Sequence, residues 1–187
     1  MKKINDTWIL IIGVLLFLLS YMFDQQINLF FNAQKFAFLD LILSIVTDFG
    51  VVLIVMLLIP SIALYTKNRK LVYLLLSAFV VSFILAFVIK LIVLRQRPAE
   101  AFTYPLVNII NYSFPSMHSM VAFSLLPLVI KYLPKYKAFW AMFVFLVAFS
   151  RVYFGFHFMS DVVFGALSGY SIGDYLSELY EKKKLWK

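Results

Sequence analysis

The chain contains no cysteine, which excludes disulfides, thiol catalysis, and zinc or iron–sulfur sites built on cysteine ligands. Charged residues are scarce at 14%, while hydrophobic residues reach 64%. A soluble domain is closer to about a quarter charged and about half apolar, so this composition indicates a membrane protein. There is also no Gly/Ser-rich linker, low-complexity tract or whole-chain repeat. We therefore expect a single domain over residues 1–187.

The formal net charge of +8 could suggest a nucleic-acid partner. However, the basic residues fall in short clusters between apolar runs, which is typical of membrane topology. We therefore expect the bilayer as a partner and no nucleic acid. Lys2 and Lys3 precede the first apolar run, but no small-residue cleavage site follows it. We interpret that run as an uncleaved first span and not as a secretory signal.

Six apolar segments are long enough, or nearly so, to cross a hydrocarbon core of about 30 Å. They comprise residues 7–23, 50–66, 71–94, 117–133, 138–154 and 157–179. The segment 27–47 mixes apolar with polar and charged residues, which predicts a helix lying in the membrane interface. The expected fold class is all-α, a polytopic bundle of six transmembrane helices with one interfacial helix.

The distribution of basic residues predicts the orientation of these spans. If the N-terminus is cytoplasmic, the inner segments hold twelve of the seventeen Lys and Arg residues. The outer side then holds Lys35, Lys90, Arg95, Arg97 and Arg151. Because basic residues concentrate on the cytoplasmic side, this bias predicts a multi-pass protein of the cell membrane with both termini inside.

The chain has two histidines, and each is predicted at the outer end of a span. His118 and His157 share this depth with Lys90, Arg97 and Arg151. A single cation here could simply extend its side chain to the headgroups, and a lone histidine is more often structural. Charges inside a membrane are costly and by default mark function. The convergence of all five predicts a functional site on the extracytoplasmic face.

Local patterns support an anion site. Lys90 and Arg97 lie two helical turns apart and share a face if the helix continues that far, with Pro98 favouring a helix end near Arg97. Ser116 is a natural N-cap for the fourth span, and a helix N-terminus beside a hydroxyl binds anions. Ser116 alone would be explained as an ordinary cap, but His118 in the same turn favours the functional interpretation.

His157 and Asp161 have the i,i+4 spacing of neighbours on one helix face. A carboxylate bonded to one ring nitrogen fixes the tautomer and raises the basicity of the other, which prepares an imidazole to attack phosphorus. A structural pair is the alternative. Gly165, Gly169 and Gly173 continue this face at steps of four and allow another helix to approach closely. The face is therefore expected to point into the bundle or into the interface of a homodimer.

These residues together resemble the type-2 phosphatidic acid phosphatase superfamily, which also includes vanadium haloperoxidases and glucose-6-phosphatase. Its signature has three parts: Lys, six residues, Arg-Pro; then Pro-Ser-Gly-His; then Ser-Arg, five residues, His, three residues, Asp. The matching residues here are Lys90 and Arg97-Pro98, Pro115-Ser116-Met117-His118, and Ser150-Arg151, His157 and Asp161. The resemblance covers about residues 40–175. Met117 replaces the usual Gly, whose backbone N–H the family uses, and Met supplies that N–H unless the position needs a positive φ.

The resemblance implies a phosphatase with a helical-bundle fold. His157 would attack phosphorus to give a phosphohistidine, Asp161 would orient it, and His118 would protonate the leaving oxygen and then activate water. The residues expected to bind the phosphoryl oxygens are Lys90, Arg97, Ser116, Met117 and Arg151. Cations and a helix N-terminus can supply the charge stabilisation that phosphoryl transfer needs. Because no carboxylate cluster suits Mg²⁺, we expect neither a metal nor another cofactor.

The expected substrate is a lipid phosphate, in first place a polyprenyl diphosphate of the undecaprenyl type, because short members of the superfamily often act on such lipids. Phosphatidylglycerophosphate or phosphatidate is the alternative. Haloperoxidase chemistry is disfavoured because those members are typically large and soluble. A lipid carrier or flippase without catalysis is the alternative from another class, but its polar residues would line a path at mid-depth. Here they cluster on one side.

Overall fold

The computed structural model of the protein describes residues 6–34, 36–98 and 111–182. Every regular element in those ranges is helical, which confirms the all-α fold class. The elements are α1 Asp6–Ala33, α2 Ala37–Val46, α3 Phe49–Leu53, a π-helical turn Ile54–Leu58, α4 Ile59–Tyr65, α5 Arg69–Val93, α6 Met117–Tyr132, a 3₁₀ turn Pro134–Tyr136, α7 Lys137–Tyr153 and α8 Met159–Glu181. The predictions on Lys2, Lys3 and Lys35, and on the middle of the 95–116 loop, lie outside the described residues.

Within the described part, three helices are long and apolar enough to cross a membrane: Ile11–Phe31, Arg69–Val93 and Pro134–Tyr153. A fourth span results if the pair Ala37–Val46 and Phe49–Tyr65, which is bent by 57°, is counted as one. The apolar helix α6 is shorter, with 16 residues. The chain is therefore a membrane protein with three to four apolar spans by length and composition.

The segment 27–47, predicted as one interfacial helix, is divided in the structure. Its first residues continue α1 as far as Ala33, and a break separates them from α2. The continuation has a physical reason, because Ile27 and Phe31 pack against the hydrophobic core. Phe31 meets the rings of Phe149 and Tyr153 edge-on, at centroid distances of 5.4 and 6.3 Å. Apolar residues assigned to the interface thus serve in the packing between helices.

The core is built around α6. Its residues 119–129 are all buried, and its main neighbours are α8, α5 and α7. A helix that is apolar on every side is covered by other helices or by lipid, and other helices cover α6. Because α6 begins immediately after Ser116, this central position places the start of α6 among the ends of three other helices.

The small-residue stripe of α8 packs directly against α6. A Cβ on Gly165 would lie 2.7 Å from the carbonyl oxygen of Ser116. At Gly169 and Gly173, an added Cβ would overlap the carbonyl oxygens of Met120 and Ser124, respectively. The two helix backbones are therefore too close for any side chain larger than hydrogen. Of the two predicted orientations of the stripe, the structure has the one that faces into the bundle.

This contact predicts that Gly169→Leu lowers the thermal unfolding midpoint of the purified protein, because α8 must move away from α6. Overpacking of a well-packed core typically costs about 1–3 kcal/mol, and displacement of a backbone contact belongs at or above the upper end. Ser171→Leu is the matched control, because Ser171 lies on the exposed side of the same helix. Equal melting temperatures for the two variants would show that the α6–α8 contact is loose.

Candidate active site

The residues singled out in the sequence converge at one end of the bundle. Lys90, Arg97, Arg151 and His118 all lie close enough to His157 to act on it electrostatically. They come from the last turn of α5, the loop after it, the last turn of α7 and the first turn of α6. The opposite end carries a different group, in which Lys131 pairs with Glu181 at 2.7 Å. The predicted set is therefore one cluster in space.

Helix α5 ends earlier than the sequence suggested. Leu94 takes a left-handed conformation with φ of 51°, and its N–H donates to the carbonyl of Lys90 at 3.1 Å. A left-handed residue after the last turn is a common helix stop. The helix does not continue to Arg97, so the condition under which Lys90 and Arg97 would share a helix face is not met, and the expected helix end near Arg97 is wrong. The loop brings Arg97 to the site instead.

Lys90 is nearly inaccessible, with 2% of its surface exposed. Its ammonium group donates to the carbonyl oxygens of Tyr112 and Ser113, at 2.5 and 3.4 Å. Ser113 in turn donates its backbone N–H to the carbonyl of Arg95 at 2.7 Å. These bonds attach the chain before α6 to the end of α5. The same bonds fix the ammonium group of Lys90 next to the other cations of the site.

Arg97 reaches the ring of His157. Its Nε donates to the carbonyl of Asn111 at 3.0 Å, and its Nη1 donates to the carbonyl of Phe156 at 2.7 Å. The same Nη1 lies 3.4 Å from Nε2 of His157. Guanidinium nitrogens only donate, so a hydrogen bond at this position requires the tautomer in which Nε2 carries the lone pair and Nδ1 carries the hydrogen. A phosphoryl group bound at Nε2 would lie beside the guanidinium.

The start of α6 has the predicted N-cap. The hydroxyl oxygen of Ser116 accepts from the backbone N–H and from the hydroxyl of Ser119, at 3.5 and 3.1 Å. The backbone N–H of Ser116 donates to the carbonyl of Asp161 at 3.1 Å, which fixes the start of α6 against the start of α8. Among the described residues, only Leu94 and Gly155 have positive φ. Met117 therefore fits where the family has Gly, and the first N–H groups of the helix keep no intrahelical acceptor.

The bend between α2 and α3 supplies contacts that the sequence did not suggest. Nη1 of Arg151 donates to the hydroxyl of Thr47 at 2.6 Å, and the guanidinium lies 4.5 Å from the ring centre of Phe156. The ring of His118 meets the ring of Phe49 edge-on, with centroids 4.9 Å apart. Asp48, between Thr47 and Phe49, caps α3 by accepting the N–H of Val51 at 3.0 Å. The capped bend thus holds both Arg151 and His118 in place.

His157 and Asp161 are neighbours, but not on a helix face as predicted. Helix α8 begins at Met159, so His157 precedes it, and its N–H donates to the carbonyl of Arg151 at 3.1 Å. The Asp161 carboxylate reaches back over the first turn and accepts the N–H of Phe158 at 2.9 Å. Its Oδ2 lies 3.7 Å from Nδ1 of His157, which is ion-pair range and longer than a hydrogen bond.

Two charged residues at the site were missed. Arg95 donates from Nη1 to Oδ1 of Asp161 at 2.7 Å and from Nη2 to Oδ2 of Asp24 at 2.8 Å. The sequence held a signal for each. Asp24 is a carboxylate at the end of an apolar run, where a charge needs a partner. Arg95 is an outer cation to which the three-part signature gives no role.

No group of three or more His, Asp or Glu side chains suited to a metal ion occurs in the part of the chain that the structure describes. The positive charge near His157 is supplied by Lys90, Arg97 and Arg151. Such a cluster can neutralise an anion by itself. Independence from metal ions remains a prediction.

Comparison with known families adds to this geometry. Residues 70–184 match the sequence model of the PAP2 superfamily, which is more than half of the chain. The chain belongs to the PAP2 superfamily. The matched residues include all eight site residues predicted above: Lys90, Arg97, Ser116, Met117, His118, Arg151, His157 and Asp161.

Two curated relatives and one solved structure are similar to this PAP2 chain. A bacitracin transport permease protein, BcrC, of Bacillus licheniformis is 36% identical over 109 residues, covering 56% of this chain and 53% of the relative. Phosphatidylglycerophosphatase B of Bacillus subtilis is 38% identical over 90 residues, covering 42% of this chain and 41% of the relative. The chain thus spans about half the length of the curated relatives it matches.

The solved structure is a transmembrane PAP2-type phosphatidylglycerolphosphate phosphatase from Bacillus subtilis. It superposes with a TM-score of 0.72 at 25% sequence identity, over 95% of this chain and 98% of the other. The helical arrangement is therefore that of a transmembrane PAP2 protein.

Proposed function

We propose that this protein is an integral membrane phosphatase that hydrolyses a phosphomonoester or diphosphate of a membrane lipid through a phosphohistidine on His157. The observation that carries the proposal is the setting of the His157 ring. The guanidinium of Arg97 lies 3.4 Å from Nε2, and a carboxylate oxygen of Asp161 lies 3.7 Å from Nδ1. A cation at one ring nitrogen and a carboxylate behind the other suit attack on a phosphoryl group.

In the first step, Nη1 of Arg97 donates to a phosphoryl oxygen in place of Nε2. The lone pair of Nε2 then attacks phosphorus, and the bond from phosphorus to the lipid oxygen breaks. His118 gives its proton to that oxygen, and the lipid alcohol or monophosphate leaves. In the second step, His118 takes a proton from water, the water oxygen bonds to phosphorus, and the bond to Nε2 breaks. Lys90, Arg97 and Arg151 neutralise the phosphoryl oxygens throughout, which is the main requirement of phosphoryl transfer.

The surroundings of the site suit a lipid. A groove with a volume of about 560 Å³ lies between α1 and α8 and is lined by Phe17, Phe164 and Leu167, among others. Phe164 also packs against Phe114 with ring centroids 4.7 Å apart, directly before the Pro115-Ser116 segment. The groove therefore passes close to the start of α6. The apolar side chains at this end of the groove suit a hydrocarbon chain, and we propose this end as the place where the lipid tail lies.

The first candidate substrate is a polyprenyl diphosphate of the undecaprenyl type. Three cations balance the charge of a diphosphate headgroup better than that of a monophosphate, which carries about −1.5 to −2 at pH 7. The second candidate is a glycerophospholipid monophosphate, phosphatidylglycerophosphate or phosphatidate. The names of the Bacillus subtilis relative and of the solved structure favour phosphatidylglycerophosphate. The name of the Bacillus licheniformis relative states transport of bacitracin. The alternative from the transport class for this chain is a lipid carrier or flippase without catalysis.

Release of inorganic phosphate by the purified protein separates these functions. We expect release from one of the two lipid classes, undiminished in excess EDTA and inhibited by vanadate, because Lys and Arg take the place of a metal. The assay uses equal concentrations of the polyprenyl diphosphate and the glycerophospholipid monophosphates in detergent. Activity that EDTA abolishes and Mg²⁺ restores would contradict the mechanism. A complete absence of release would favour the transport class.

We further propose six spans, both termini in the cytoplasm and a site facing the extracytoplasmic side. The support is the bias of twelve basic residues among seventeen. Because the chain lacks cysteine, single labels can be introduced as Gln96→Cys and Lys67→Cys, both at exposed positions. A membrane-impermeant maleimide on intact cells should label the first and not the second. The reverse pattern would overturn the orientation.

A further inference from the structure

We infer that Asp24 and Arg95 form a positioning pair that sets both the orientation and the effective charge of Asp161. The inference rests on the proposed function, in which Asp161 supports His157 as the nucleophile. It extends the site to α1, a helix that contributes no residue to the three-part signature. Neither residue is assigned contact with the substrate; both act through Asp161.

The pair joins three separate parts of the chain. Asp24 lies in α1 and is 4% exposed. Its Oδ1 accepts the backbone N–H of Ser160 at 2.9 Å, and its Oδ2 accepts the hydroxyl of Ser160 at 2.5 Å. Arg95, in the loop after α5, bridges Oδ2 of Asp24 and Oδ1 of Asp161 at 2.8 and 2.7 Å. Asp24 thus holds both the first turn of α8 and the guanidinium that contacts Asp161.

The hydrogen-bonding groups of Arg95 are engaged by carboxylates, and Arg95 is therefore not counted among the cations proposed to bind phosphate. Its two terminal nitrogens are each bonded to a carboxylate. Its guanidinium also lies over the ring of Phe158 at 4.1 Å, and at 5.4 Å from the ring centre of Tyr21. By contrast, Arg97 points at Nε2 of His157. The geometry therefore gives Arg95 to Asp161 and leaves the phosphoryl group to the other cations.

The orientation of Asp161 depends on this arrangement. Arg95 binds Oδ1, while the N–H of Phe158 binds Oδ2 and leaves it 3.7 Å from Nδ1 of His157. With both oxygens held, the carboxylate is not able to rotate away from the ring. Small displacements of such groups have large consequences for rate, because attack requires a narrow range of geometry.

The charge balance explains why two carboxylates are present. Arg95 alone would neutralise Asp161. With Asp24, the three groups carry a net charge of −1 beside His157. When Nε2 bonds to phosphorus, the imidazole ring acquires positive charge, and a net negative group behind Nδ1 stabilises it. Asp24 therefore preserves the negative charge of Asp161 that the reaction uses.

The test is Asp24→Asn, which removes the second negative charge and turns the amide NH₂ group toward a donor that Asp24 had accepted, from Ser160 or Arg95. We expect kcat to fall by roughly 100-fold with a much smaller change in KM, because the groups that bind the phosphate are untouched. The rate of phosphoenzyme formation from p-nitrophenyl phosphate should fall by the same factor, since that step reports the nucleophile. Asp40→Asn is the matched control, because Asp40 accepts a hydrogen bond from Tyr153 at 2.6 Å outside this network.

A double-substitution cycle excludes a merely structural role. Arg95→Gln leaves two buried carboxylates facing each other, and its kcat should fall further than that of Asp24→Asn. Adding Asp24→Asn to Arg95→Gln should then raise kcat, because one of the two like charges is removed. Independent, multiplying losses would overturn the inference, as would unchanged kcat in Asp24→Asn.

Arg95→Lys provides a second route if Asp24→Asn does not fold. Lysine keeps the charge but lacks the planar fork that bridges two carboxylates. We expect a folded protein with a kcat between those of the wild type and Arg95→Gln, and wild-type kcat in Arg95→Lys would refute the pair. Failure of the wild type to release phosphate would instead refute the proposed function, so the two failures are distinct.

Discussion

His157→Ala should remove both turnover and the covalent phosphoenzyme. The structure places Nε2 beside Arg97 and buries the ring, with 2% of the residue exposed. An alanine there leaves no nitrogen to bond phosphorus, so the two-step route is closed. Loss of a nucleophile lowers kcat by about 10⁶-fold in a well-studied hydrolase, and we expect a loss of that order here.

Trapping acid-labile phosphate, followed by peptide mapping, measures this directly. Wild-type protein quenched during turnover should carry phosphate on the peptide that contains His157, and the alanine variant should carry none. Phosphate found on His118, or retained in His157→Ala, would reverse the assignment of the two histidines. Gel filtration in detergent checks that the variant is folded, which is expected because alanine fits the volume that the ring vacates.

Asp161→Asn should lie between the wild type and His157→Ala. Both carboxylate oxygens accept hydrogen bonds, one from Arg95 and one from the N–H of Phe158. An amide offers only one oxygen, so its NH₂ group must face a donor in either orientation. The substitution therefore disturbs the first turn of α8 as well as removing charge. Phosphoenzyme formation should be slowed but detectable in the same trapping assay.

The parts of the fold that the sequence predicted are those governed by local patterns. Each of the six apolar segments coincides with a helix or a helical stretch, because long apolar runs satisfy their backbone groups best as helices. The N-cap at Ser116 followed from one hydroxyl before an apolar run. The close packing of α8 against another helix was predicted from its glycines, which recur at every fourth residue. In each case the information lies within one continuous segment of the chain.

The errors arose where distant contacts or single backbone angles decide the structure. The left-handed Leu94 ends α5 early, although leucine is not a residue that favours that conformation. The end of α1 packs against Phe149 and Tyr153, which no pattern within residues 27–47 could show. His157 and Asp161 were predicted on one helix face, but His157 lies in the turn before α8 and Asp161 lies in its first turn.

The site was predicted more completely for its cations than for its supporting groups. Spacing and the family signature selected residues that the structure gathers around the His157 ring. Asp24 and Thr47 lie far from those motifs in sequence and contact them only after folding. Intramembrane charge is the one sequence signal that pointed to Asp24, because a carboxylate in an apolar helix requires a partner. Matching it to Arg95 required the structure.

His118→Ala should separate the two halves of the reaction. His118 lies in the first turn of α6, with its ring edge-on to Phe49 at 4.9 Å. In the proposed mechanism it protonates the leaving oxygen, and a general acid contributes about 10²–10⁴-fold to the rate. The leaving group of a glycerophospholipid monophosphate is a lipid alcohol, which needs that proton, so kcat for this class should fall by about this factor. The leaving group of a polyprenyl diphosphate is a lipid monophosphate, which is less basic, so kcat for that class should fall less. p-Nitrophenolate leaves without protonation, so its release should fall far less.

The second step gives this prediction its sharpest readout. Water activation also depends on His118, so the phosphohistidine should form from p-nitrophenyl phosphate and then persist. A burst of p-nitrophenolate equal to the enzyme concentration, followed by slow turnover, is the expected time course in His118→Ala. Phe49→Leu is the control, because it changes the packing of the imidazole without removing it and should slow both substrates alike. Equal losses for lipid and p-nitrophenyl phosphate in His118→Ala, without accumulated phosphoenzyme, would show that His118 positions the substrate and does not transfer protons.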